Sequence, residues 1–257
     1  MGRVIAVANQ KGGVGKTTTT VNLAACLAEE GKVVLIVDLD PQGNTTSGFG
    51  IDKTKLDKTI YELLLNECDI FECKKRVKSC DLEIIPASVD LAGAEIELIG
   101  IAKREYLLKE KLNEIKEFYD YIIVDCPPSL NMLTINALCA ADTILVPIQC
   151  EFYALEGLTQ LINTVNLVKK RLNQNLDIEG ILFTMYDGRT NLSVQVVEEV
   201  TKYMKHNIFK TIIPRNVRLG EAPSYGLPII KYDPKSKGAN CYRKLAKEVI
   251  ERSIDEK

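Results

Sequence analysis

The chain has 257 residues, 46% of them hydrophobic and 26% charged. That length fits one large domain or two small ones, and the ordinary globular composition excludes a disordered, collagen-like or coiled-coil chain as a description of the whole. With 33 Lys and Arg against 35 Asp and Glu, the formal net charge is −2, so a uniformly basic nucleic-acid binder is excluded while a local basic patch is not.

The single histidine, His206, rules out a mechanism built on two. Cysteines stand at 26, 68, 73, 80, 126, 139, 150 and 241, with no pair at C-x-x-C spacing. Several lie in apolar runs, where free Cys behaves as a small hydrophobe, and reduced cytosolic thiols are the favoured reading. The apolar run 4–8 is too short for a signal peptide. No stretch approaches the roughly 18 apolar residues of a membrane span. A soluble, cytoplasmic protein with no membrane partner is expected.

Apolar runs at 4–8, 33–37, 82–85, 121–124, 143–148, 181–185, 208–213 and 227–231 read as near-continuous hydrophobics. That pattern belongs to parallel strands covered on both faces. Helical patterns fall between them at 17–30, 59–66, 104–118, 130–140, 154–172, 192–204 and 239–253. The alternation predicts an α/β fold, a doubly wound, mostly parallel sheet with helices on both faces. With no repeat or linker, 1–257 reads as a single domain.

The first strand runs into Gln10-Lys11-Gly12-Gly13-Val14-Gly15-Lys16-Thr17-Thr18. Gln10 stands where the pattern G-x-x-x-x-G-K-[ST] asks for glycine, but strand, glycine loop and helix follow in the right order. Gly12, Gly13 and Gly15 let the backbone wrap a phosphate. The N–H groups from Gly13 through Val14 to Thr17 form an anion nest at a helix start, and Thr18 completes the stretch. Lys16 supplies charge to the β- and γ-phosphates of a nucleotide. The Thr17 hydroxyl suits Mg²⁺.

Two strands end in carboxylates. Val37-Asp38-Leu39-Asp40-Pro41-Gln42 closes the second, at the crevice where open α/β sheets bind ligands. Tyr121-Ile122-Ile123-Val124-Asp125-Cys126-Pro127-Pro128-Ser129 is an apolar strand ending in Asp, the Walker B pattern, with Asp125 holding Mg²⁺ through water.

These residues resemble the deviant Walker A ATPases of the ParA/MinD superfamily, a P-loop NTPase type whose mark is the extra lysine, here Lys11. The resemblance implies that Lys11 reaches the phosphates of a second subunit, so that ATP closes a homodimer. It implies that Asp40 orients the attacking water and contacts the Mg²⁺ shell, and that Asp38 supports the loop. It puts Met185, Pro214 and Asn216 beside adenine. The expected reaction is Mg²⁺-dependent hydrolysis of ATP, slow until a partner completes the site.

Residues 202–247 carry eleven Lys or Arg and two acids, a local excess of +9 in an acidic chain. Such asymmetry suggests a polyanion surface. The segments 186–193 and 214–224 resemble the chromosomal ParA (Soj) subgroup, in which residues matching Arg189 and Arg218 serve nonspecific binding of double-stranded DNA. That branch further implies a ParB-type centromere-binding activator, a chromosome or plasmid cargo and nucleoid association with ATP. The alternatives are a MinD-like membrane-cycling protein and an ATPase that positions protein cargo. The end 252–257 lacks the basic amphipathic character of a membrane helix, and the stripe Leu245, Val249 and Ile250 is expected to pack on the core.

Overall fold

A computed structural model of the chain describes residues 2–151, 154–204 and 207–255. Lys205 and His206 lie outside the described residues. Strands β1 (Arg3–Val7), β2 (Val34–Asp38), β3 (Lys75–Val77), β4 (Leu82–Ile85), β5 (Tyr121–Asp125), β6 (Thr143–Gln149) and β7 (Asp177–Thr184) form one sheet in the order β3-β4-β2-β5-β1-β6-β7. Every pairing is parallel except β3 with β4. The predicted doubly wound α/β sheet is therefore borne out.

The longer helices are α1 (Lys16–Glu29), α2 (Met132–Ala140), α3 (Ala154–Arg171), α4 (Asn191–Tyr203) and α5 (Lys237–Asp255). Strand side chains alternate between the two faces, so β1 sends Val4 and Ala6 to one side and Ile5 and Val7 to the other. On the first side they meet Leu133 and Leu138 of α2, Leu161 and Val165 of α3 and Val196 and Val200 of α4. On the second they meet Leu23 and Leu27 of α1 and Tyr242, Leu245 and Val249 of α5. The stripe expected on α5 packs on the core, with Leu245 and Val249 fully buried and Ile250 partly so. Among the described residues no helix is long and apolar enough to cross a membrane.

Two predicted strands are corrected. The run 208–213 lies along the edge of β7 through bridges Ile181↔Ile208 and Tyr186↔Pro214 without forming a regular strand. One more residue separates the bridge partners on its side than on that of β7, which requires a bulge. The bulged amides of Lys210 and Thr211 turn away to the Glu248 carboxylate of α5, at 2.7 and 3.0 Å. The run 227–231 contains the start of a short helix, Ile229–Tyr232, behind Pro228. Its first amide, that of Ile229, donates to Asn22 Oδ1 at 2.7 Å. A short apolar run does not distinguish a buried strand from a buried turn of helix.

The pattern at 104–118 breaks into Leu107–Asn113 flanked by 3₁₀ turns, because Lys103 enters with a left-handed φ of 56° and Ile115 leaves the helical region. The helix predicted at 59–66 is the single turn Ile60–Leu64, capped by Thr59 and Glu62. Leu91–Glu97 and the edge strand β3 were not expected.

Because Leu245 is fully buried, Leu245→Ala should cost about 2–5 kcal/mol by urea denaturation. Leu167→Ala, at a half-exposed site on α3, should stay within about 0.5 kcal/mol.

Candidate functional site

The site lies at the carboxyl ends of β1, β2, β5, β6 and β7. The loop after β1 is pinned at both shoulders. Asn9 donates from Nδ2 to Pro147 O on β6 at 2.8 Å and accepts the Lys11 amide at 3.0 Å. Val14 is buried, and its carbonyl accepts the Thr184 hydroxyl of β7 at 2.8 Å. Gly13 and Gly15 take left-handed φ of 76° and 89°, where a side chain would be strained. An added Cβ at Gly13 would meet nothing within 4 Å, so the loop opens onto free space there. Gly12 does not share that conformation. It lies under Pro128, 3.9 Å from where its own Cβ would stand.

Helix α1 begins without a side-chain cap and without an acid in its first turn. Its leading N–H groups, those of Lys16, Thr17 and Thr18 among them, are the unpaired donors that helix starts present to anions. Lys16 is buried, yet its ammonium donates one intramolecular bond, to Lys11 O at 3.1 Å. An ammonium has three donors. Burial lowers the Lys16 pKa, opposed by the nearby charges of Asp125, Cys126 and Asp40.

The sheet register sets Asp38 beside Asp125 and Asp125 beside Val7. Both carboxylates are fully buried. Burial raises the pKa of each, and the Asp125 charge raises that of Asp38 further. Hydroxyl groups offset this. Asp125 accepts Thr45 Oγ1 at 2.6 Å and Thr20 Oγ1 at 3.2 Å, and Thr17 also hydrogen-bonds it. Asp38 accepts both the amide and the hydroxyl of Thr46, at 2.8 and 2.7 Å. The hydroxyl of Thr46 in turn accepts the Ala87 amide at 3.0 Å. Asp40 is buried, and one of its oxygens accepts the Gln42 amide at 2.9 Å.

Lys11 leaves the loop in another direction. Its ammonium meets Glu151 Oε2 at 2.9 Å, with both side chains partly exposed. Met185 is half-buried, takes a left-handed φ of 48°, and puts its Cε 3.8 Å from where a Cβ on Gly15 would stand. Pro214 is joined to the same corner by the bridge to Tyr186. Asn216 caps the short helix Val217–Glu221, its Oδ1 accepting the Arg218 amide at 2.9 Å. Arg189 and Arg218 are not in this cluster. Arg189 is 89% exposed and paired with Asp187, whose carboxyl it holds well below the usual range. Arg218 is exposed and paired with Glu221 and Asp233.

A family model described as an AAA domain matches residues 2–178. The sporulation initiation inhibitor protein Soj of Bacillus subtilis is 59% identical over 249 residues, 97% of this chain and 98% of that protein. The chromosome partitioning protein ParA of Myxococcus xanthus is 54% identical over 98% of this chain and 89% of its own length. The chain belongs to the ParA/Soj family of chromosome-partitioning ATPases. Among solved structures, the Mycobacterium smegmatis cobyrinic acid a,c-diamide synthase with bound ATP analogue and magnesium is similar to the whole chain. It shares 39% identity at a TM-score of 0.89 and is itself covered over 98%.

Within this ParA/Soj-family chain, the loop residues, Asp40, Asp125 and Met185 converge at one end of the sheet. Sequence reasoning missed the threonines: Thr20, Thr45 and Thr46 hold the two buried carboxylates, and Thr184 ties down the loop. Their only signal is the hydroxyl-rich composition of Thr17–Thr20 and of the segment after Asp40. Glu151, the partner of Lys11, was also missed. It follows a β-strand with no motif around it.

Thr46→Val removes the hydroxyl that bridges Asp38 and the Ala87 amide, leaving buried polar groups short of a partner. It should destabilise the chain by about 1–3 kcal/mol in a denaturant titration. Thr201→Val, on the exposed face of α4, is the control expected to stay within about 0.5 kcal/mol.

Proposed function

We propose that the chain is an ATP hydrolase that closes into a homodimer on ATP, binds double-stranded DNA without sequence preference, and drives chromosome or plasmid segregation. A ParB-type centromere-binding protein would stimulate turnover and release the dimer. The span 1–257 acts as one ATPase domain, cytoplasmic and associated with the nucleoid in its ATP state. The observation that carries the reading is the uncapped start of α1, with a buried Lys16 at its mouth and carboxylates beneath it.

That arrangement fits ATP with Mg²⁺. The unpaired N–H groups and the spare Lys16 donors suit phosphate oxygens, and hydroxyl and carboxylate oxygens suit a hard cation. When bound, Mg²⁺ neutralises charge on the β- and γ-phosphates. Gly12, Gly13, Val14, Gly15, Lys16, Thr17 and Thr18 hold the phosphates. Thr17, Asp40 and Asp125 form the metal side. Asp40 orients the water that attacks the γ-phosphorus, and ADP and phosphate leave. Met185, Pro214 and Asn216 flank the base. Lys11 completes the phosphate cradle of the opposite subunit. Apolar Val89, Ile96 and Ile99 stand exposed beside the segment after β5, to which Glu95 is bonded through Asn131, and they supply self-association surface.

The DNA face is built from arginines and lysines of the span 189–247, outside the nucleotide cluster. Arg243 and Lys247 pair with Glu29 and Glu30 at the C-terminal end of α1, and Lys202 pairs with Glu199. Among the described residues, Lys210, Arg215, Lys231, Lys235, Lys237 and Lys244 make no ion pair. Arg189 and Arg218 are held by exposed pairs of the kind worth at most about 1 kcal/mol. Phosphates can therefore take those partners over at little cost, and counterion release drives the exchange.

Binding to random-sequence duplex DNA is the deciding measurement, made with ADP, with ATP, and with ATP after Lys11→Ala, each across a salt series. Binding only with ATP, lost in the variant and falling steeply with salt, is expected. Binding in no state would overturn the DNA reading and leave the nucleotide chemistry standing.

Hydrolysis by Asp40→Ala should fall by roughly 10²-fold or more with nucleotide binding retained, since positioned groups of this kind are worth that much. Equal turnover in wild type and variant would remove Asp40 from the mechanism. Glu151→Gln frees Lys11 and should lower the ATP concentration for half-maximal dimerisation by up to about five-fold, the worth of an exposed pair. Light scattering against ATP concentration reads this directly.

A further inference from the structure

The segment Cys68-Asp69-Ile70-Phe71-Glu72-Cys73 encodes a helix start of a particular kind. Asp69 caps the short helix Ile70–Cys73, accepting the Phe71 amide at 2.8 Å, while Glu72 reaches back to the Asp69 amide at 2.8 Å. This is a capping box, and its usual companion is an apolar contact between the residue before the cap and the fourth residue of the helix. Here both positions are cysteines. The box folds Cys68 over Cys73 and sets their sulfurs 2.9 Å apart. A left-handed Asn66, with φ of 60°, turns the chain just upstream and directs Cys68 into this contact.

No other cysteine pair among the described residues makes such a contact. Cys26, Cys80, Cys126, Cys139 and Cys150 are buried, and Cys241 is half-buried. Within the pair the two thiols differ. Cys68 is half-buried at the surface, whereas Cys73 is buried and donates weakly to Thr59 O at 3.4 Å. Burial, followed by the neighbouring Cys68, pushes the Cys73 thiol upward, so it remains protonated at neutral pH.

We propose that Cys68 and Cys73 form a dithiol modification site that a peroxide converts to an intrachain disulfide. The peroxide transfers one oxygen to Cys68 Sγ, giving a sulfenic acid and a molecule of water or alcohol. Cys73 Sγ then attacks that sulfur. The S–O bond breaks, the hydroxyl leaves with the Cys73 proton as water, and the S–S bond forms. Two electrons pass from the thiol pair to the peroxide O–O bond. The sulfurs need to close by less than 1 Å to reach a disulfide length of about 2.05 Å. The Thr59 carbonyl loses its thiol donor in the process. A small-molecule thiol, entering at the exposed Cys68 side, returns the pair to its reduced form.

The tryptic peptide 59–74 holds both residues and no other cysteine, which makes the test direct. The folded full-length chain is treated with a small excess of hydrogen peroxide and quenched. It is then unfolded, alkylated with N-ethylmaleimide, digested without reductant and weighed. The expected peptide is two hydrogens lighter than the dithiol, carries no alkyl group, and accepts two after treatment with dithiothreitol. In Cys68→Ser, a near-isosteric change at a half-buried position, Cys73 should survive the same treatment as an alkylated thiol. A peptide that keeps both thiols would overturn the proposal. So would one with Cys68 carried on to sulfinic or sulfonic acid while Cys73 remains free, since a paired thiol intercepts the sulfenic acid first.

Discussion

Two carboxylates buried side by side at the end of a parallel sheet constrain most of what surrounds them. The register of β2 on β5 puts Asp38 level with Asp125, and neither reaches water. Burying an unpaired charge costs several kcal/mol, so such groups persist only with donors aimed at them. The donors come from two places in the chain. Helix α1 turns Thr17 and Thr20 inward, and the short helix Asn44–Gly48 contributes Thr45 and Thr46. The positive charge of Lys16 adds a further favourable term at Asp125. Each donor fixes the element that carries it. The first turn of α1 consequently serves two ends: its hydroxyl groups face the sheet and its amides face the loop.

That arrangement explains which parts of the site could be read in the sequence. Loop, lysine and strand-terminal aspartates carry their own signal, because glycine spacing and an apolar run ending in Asp arise from local requirements. The threonines carry only a hydroxyl-rich composition, which names no partner. Thr45 and Thr46 sit in a short polar segment without periodicity, and what they bond is decided by the register that sets Asp38 of β2 beside Asp125 of β5, far along the chain. Met185 was assigned by resemblance alone, and its left-handed backbone has no signature in a β-rich run.

The same distinction separates the strands that were anticipated from those that were not. Buried parallel strands announce themselves as continuous hydrophobics, and the six runs at 4–8, 33–37, 82–85, 121–124, 143–148 and 181–185 sit on strands, with shifts at their ends that are largest for 181–185, where the strand starts at Asp177. The run at 208–213 has the same composition. Its geometry depends on Glu248, a residue of α5 that draws away the two amides a ladder would need. Edge strand β3, Lys-Arg-Val, has too few apolar residues to be seen; it is recruited by the hairpin with β4.

The two lysines of the loop are built for different behaviour. Lys16 is enclosed, held by a backbone carbonyl, and surrounded by the charges of Asp125 and Asp40. Moving it would strand those charges in a buried site, so it is a fixed part of the cradle. Lys11 is partly exposed and tied to a partly exposed carboxylate on the segment after β6. Coulomb attraction at that exposure is nearly cancelled by solvation and side-chain entropy. A phosphate, with more charge and more acceptor oxygens than Glu151, outcompetes such a partner wherever it comes within reach. On the proposed reading, in which Lys11 serves the opposite subunit, this combination is what is needed: a tether that holds the side chain to Glu151 and is weak enough to be exchanged.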